Sequence, residues 1–160
     1  MLPQPHQSDR LRKLQGDVQR AQEVTRALMA DVLAVVGERY SVSPSLGSAR
    51  QIWTLLQAKA WTDAALALLD LELPQWKLRR IAYDDGEWRC CLGKQWPLPE
   101  WLDDTVDVGH PVLPLAILDA MIEARAVAQT SVAAAPRSVP PVRLPRDAAY
   151  LCCDNFARSP

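Results

Sequence analysis

The stretch Trp76–Leu92, WKLRRIAYDDGEWRCCL, decides the fold. Asp84-Asp85-Gly86 sits between two β-prone runs, Trp76–Tyr83 and Glu87–Leu92. Asp-Gly there is a strong hairpin signal, because a tight turn between twisted strands needs positive φ at its centre. Alternation puts Trp76, Leu78, Arg80 and Ala82 on one face of the first strand, with Lys77, Arg79, Ile81 and Tyr83 on the other. Trp88, Cys90 and Leu92 share a face of the second strand, so the buried side is expected to carry Trp76, Leu78, Trp88 and Leu92. A lone two-stranded ribbon is marginal in water, so this one must pack on helices.

Helices are legible on both sides of the hairpin. From Ser8 to Val36, apolar residues recur at spacings of three and four: Leu11, Leu14, Val18, Ala21, Thr25, Leu28, Val32 and Val35. Such a helix would be ~43 Å long, more than a small domain can cover. It must therefore project, fold back after a break near Gly16, or pair with another chain; a homodimer through the helix at 8–36 is one expectation. Ser48-Ala-Arg-Gln51 reads as a capping box, starting a helix whose apolar face carries Ile52, Trp53, Leu55 and Leu56. A second helix begins near Thr62-Asp63 and stops before Pro74, giving an αα-hairpin that turns between Lys59 and Thr62. Glu100–Val108 reads as a short acidic helix, and a further helix starts at Pro114 and fades near Ala128. Beyond Gln129 the apolar period is lost among Ala, Ser and Pro.

The expected architecture is α+β: a mostly helical small domain with one antiparallel β-hairpin packed on helices, a long N-terminal amphipathic helix and a disordered C-terminal tail. Residues 1–7 read as disordered, 8–44 as amphipathic helix and linker, 45–127 as the α+β core domain, and 128–160 as a disordered or extended tail. A chain of 160 residues suits one domain with tails and is too short for a TIM barrel or a two-lobed kinase.

Charge and composition narrow the function. The net charge of −1 disfavours a general nucleic-acid binder, and it conceals +3 over residues 1–60, −6 over 61–130 and +2 over 131–160. No apolar run approaches the roughly 20 residues of a membrane span, and the polar N-terminus lacks a signal-peptide core. The cysteines form two adjacent pairs, Cys90-Cys91 and Cys152-Cys153, without the spacing of zinc or thiol-redox sites. Reduced thiols in a cytoplasm are the expectation.

Two places attract a functional reading. Asp103, Asp104, Asp107 and His110 would approach one another along a helix, and clustered carboxylates suit a hard divalent cation. Asp103-Asp104-Thr-Val-Asp107 is similar in form to the Asp-Asp-x-x-Asp element of prenyl-diphosphate synthases, but the likeness ends with those five residues and no second aspartate-rich motif follows. The other place is Trp96-Pro97-Leu98-Pro99, with Trp101 just beyond. Trp96 and Trp101 flank Pro97 and Pro99 on a loop, the form of an aromatic partner-binding surface. Lys77, Arg79, Arg80, Arg89 and Lys94 cluster around the hairpin, where the acidic 100–107 segment is placed to neutralise them.

No catalytic triad, phosphate loop or metalloprotease motif is present, and no cofactor is implied. The leading expectation is a non-enzymatic cytoplasmic protein-interaction or regulatory module with a protein partner. The alternative is a small metal-dependent or acid-assisted enzyme using Asp103, Asp104, Asp107 and His110.

Overall fold

The computed structural model describes residues 5–38, 40, 47–94 and 103–133. In chain order these form α1 (Pro5–Arg20), α2 (Arg26–Val36), α3 (Gly47–Gln57), α4 (Trp61–Glu72), β1 (Lys77–Asp84), β2 (Glu87–Gly93), β3 (Thr105–His110) and α5 (Leu113–Ala133). The α+β reading holds.

The N-terminal periodicity is realised as two helices that fold back on each other. The break falls at residues 21–25, not at Gly16, because Thr25 supplies a cap. Its backbone is extended (φ −107°, ψ 156°), and its Oγ1 accepts the Leu28 N–H at 3.1 Å. Leu11, Leu14 and Val18 from α1, with Met29, Val32 and Val36 from α2, are each no more than 4% exposed in a single core. Four residues of the apolar stripe expected at a dimer seam, Leu11, Leu14, Val18 and Val32, thus lie in the chain's own interior.

The αα-hairpin forms as expected. Lys59 (φ 56°) takes the left-handed position that closes α3, with Ala60 N–H donating to Leu55 C=O at 3.0 Å and Lys59 N–H to Leu56 C=O at 3.2 Å. Ala49, Ile52 and Leu56 point inward from α3. Trp53, expected on that face, is turned outward and 57% exposed.

The hairpin turns at Asp85 (φ 48°) and Gly86 (φ 85°), the two positive values of a type I′ turn. Asp84 faces Glu87 and Tyr83 faces Trp88, but a bulge between Leu78 and Arg80 adds one residue to β1. That extra residue reverses the expected faces beyond it. Leu78, Ile81 and Tyr83 therefore share the inner side with Trp88, Cys90 and Leu92, while Arg80 and Ala82 lie outside.

A third strand occupies the place expected for an acidic helix. Val106, Val108 and His110 face inward while Thr105, Asp107 and Gly109 face out, so the segment has the two-residue period of a strand. β3 pairs antiparallel with β2, Leu92 facing Val106 and Cys90 facing Val108, to give the order β1-β2-β3. Against this sheet lies α5, which also touches α1 and α4. Its residues Leu115–Leu118 and Ala120–Ile122 are fully buried, the signature of a helix enclosed on several sides. It continues to Ala133, past the expected fade near Ala128. Residues 1–4 and 134–160, including most of the expected tail and Cys152-Cys153, lie outside the described residues. Among those described, no helix is long and apolar enough to cross a membrane.

Candidate functional site

The acidic residues singled out in the sequence are laid across the basic side of the hairpin. Asp103 Oδ2 accepts from Arg79 Nη2 at 2.7 Å, with side-chain exposures of 1% and 11%. Asp104 Oδ2 accepts from Lys94 Nζ at 2.8 Å, and the same ammonium stands 5.1 Å from the centre of the Trp76 ring. Asp107 lies between Arg80 at 3.6 Å and Arg89 at 3.4 Å on the outer face of the sheet. The last two contacts are solvated and weak, whereas the Arg79–Asp103 pair is desolvated.

His110 leaves this group. On a strand, positions three apart point to opposite faces, so the helical proximity of Asp107 and His110 is undone. His110 is 4% exposed on the inner face, where its Nδ1 accepts the Val112 N–H at 3.0 Å. Among the described residues, no group of three or more His, Cys, Asp and Glu side chains is placed to hold a metal ion.

The Arg79–Asp103 and Lys94–Asp104 pairs close the neck of the connection between β2 and β3. That connection runs from residue 94 to residue 104, far longer than the roughly two to five residues that join most antiparallel neighbours. Both ends are fixed. At the neck, Gly93 leaves room for the buried pair: a Cβ there would lie 2.2 Å from Arg79 Nε and 2.6 Å from Asp103 Oδ2. Trp96, Pro97, Pro99 and Trp101, the partner-binding residues expected from the sequence, belong to this connection and lie outside the described residues.

A second polar cluster, which the sequence reading missed, lies under α1. Asp119 of α5 is 2% exposed, and Gln19 Nε2 donates to its two oxygens at 3.4 and 3.2 Å. Burial pushes its pKa above the usual carboxylate range, opposed by hydrogen bonds from Gln19 and Gln15 and by the nearby His110. Glu123, one turn on, is raised by burial and by Asp119. The available signal was a lone aspartate inside the apolar run Leu115–Ile122. On the opposite side of α5, Arg125 Nη2 reaches Glu38 at 2.8 Å, while Glu72 accepts the Tyr40 N–H at 2.7 Å. These contacts join the segment after α2 to α4 and α5.

Cys90 is a buried thiol with its pKa pushed up to about 12, mainly by desolvation. A thiol so protonated is a poor nucleophile. No known protein family, characterised protein or solved structure matches this chain.

Proposed function

We propose that the chain is a non-enzymatic protein-interaction module that binds a protein partner through the connection between β2 and β3, with Trp96, Pro97, Pro99 and Trp101 as its contact residues. The observation that carries this reading is the closed neck: the buried Arg79–Asp103 pair seated over Gly93. Long connections on a rigid scaffold are favoured places for recognition, and fixing the ends of a loop lowers the conformational entropy that binding must overcome. Tryptophan supplies a large contact area with few rotatable bonds. The module acts, in this reading, in the cytoplasm with reduced thiols. The metal-dependent or acid-assisted alternative draws no support from carboxylates that each face a cation, or from a histidine on the other side of the sheet.

Photo-cross-linking from positions 96 and 101 in cell extract tests the proposal, with position 57 on α3 as the control. The expected result is one protein cross-linked from both loop positions and not from position 57. The same protein should be lost when Trp96→Ala and Trp101→Ala are combined. A cross-linked set identical at all three positions, or none, overturns it.

A further inference from the structure

We propose that two copies of this chain join edge to edge through β1, so that two three-stranded sheets become one continuous sheet. This inference is independent of the loop reading above. β1 is an outer strand, and among the described residues no strand pairs with its outer edge. The two-residue turn makes Asp84 and Glu87 the hydrogen-bonded pair next to it. Alternation then directs the amides of Asp84, Ala82 and Arg80 toward β2, and turns those of Ile81 and Tyr83 outward.

One antiparallel register suits the residues of this edge on either side of the bulge. It is centred on Ile81 facing Ile81 of the second copy, with Arg80 facing Ala82. The bulge at Arg79, present in both copies, then advances the pairing by one residue. Leu78 falls opposite Tyr83, both on the inner face, and Lys77 falls opposite Asp84, both on the outer face. A symmetric dimer makes each of these contacts twice.

Charge supports the same partner. Lys77 and Asp84 are opposite in sign and stand at the two ends of the strand, so antiparallel self-pairing makes them complementary. The present partner of Lys77 is Asp70, at 3.5 Å across an exposed, weak contact. Arg79 and Arg80, which would otherwise repel across the dyad, face Asp103 and Asp107 of their own chain. Tyr83, 61% exposed with its ring tilted against that of Trp88 at 5.0 Å, would gain Leu78 of the second copy as a cover.

Sedimentation velocity on the full chain, from low micromolar to submillimolar concentration, tests this. The mass is expected to rise from one chain toward two. Asp84→Lys or Lys77→Asp alone should weaken the dimer about tenfold by opposing like charges twice, and the double reversal should restore it. In the unaltered chain, hydrogen exchange at the Ile81 amide should slow as concentration rises, which checks the proposal even where a variant folds poorly. A mass of one chain throughout would mean that Lys77 and the bulge protect a blocked edge, and would overturn the proposal. So would a dimer indifferent to both reversals, or an Ile81 amide whose exchange ignores concentration.

Discussion

The guanidinium of Arg79 meets the carboxylate of Asp103 at 2.7 Å in the space a side chain on Gly93 would occupy. The extra residue in β1 therefore has a structural role: the bulge lifts Arg79 out of the strand alternation and across the end of β2. Asp103 is held there two residues before β3 begins.

Gly93→Ala should destabilise the fold by about 2 kcal/mol, because a Cβ displaces a buried ion pair instead of a mobile surface group. Urea unfolding would show a lower midpoint. Gly47, where an added Cβ meets nothing within 4 Å, is the neutral control.

Asp103→Asn should cost about 3 kcal/mol, since it leaves the Arg79 charge desolvated without its counter-ion. Replacing both partners, Arg79→Met with Asp103→Leu, should recover most of that loss. A double-mutant cycle measures the coupling.

Lys59→Gly should stabilise the αα-hairpin by up to about 1 kcal/mol, because Lys59 occupies the left-handed conformation at φ 56°. Thermal unfolding would register a higher midpoint without change in the spectrum.

Stability should fall as pH rises from the acid range through the folded-state pKa of Asp119. The pKa is raised from 3.8 mainly by burial, so the folded chain holds this proton more tightly than the unfolded chain. Its contribution is complete below the unfolded pKa and disappears above the folded one. Glu123 acts in the same direction. Glu38 is lowered by Arg125 and opposes them: its contribution is present above 4.5 and is lost as pH falls through its folded value. Asp119→Asn keeps a group that can meet Gln19 and should flatten the carboxyl-range slope measured by denaturant titration.

Cys90, buried and with its pKa pushed up to about 12, should resist alkylation at pH 8 in the folded chain. In a Cys91→Ser background, labelling followed by peptide-resolved mass spectrometry should show modification at Cys90 only after denaturant is added.

The hairpin was readable because its determinant is local: Asp85-Gly86 dictates the turn and nothing distant has to be known. Thr105–His110 was not, because its acids are exposed at spacings that also fit a helix. The pairing with β2 that selects the strand is a tertiary fact. The bulge at Arg79 was hidden for the same reason, since its cause is a carboxylate remote in the chain. Trp53 looks like core by residue type, yet the inward face of α3 is fully supplied by Ala49, Ile52 and Leu56. At the candidate site, the sequence marked both the acids and the bases, but only their placement shows that they clamp a connection. Asp119 was passed over because one aspartate in an apolar run has no periodic signature.

The contact between Gln19 and Asp119 spans 100 positions and has a bearing on biosynthesis. At ribosomal speeds of about 5–20 residues per second, α1 emerges roughly 5–20 seconds before its docking site on α5. During that interval Leu11, Leu14 and Val18 have no finished interior to enter, so the nascent chain offers a greasy helix to chaperones until α5 leaves the exit tunnel.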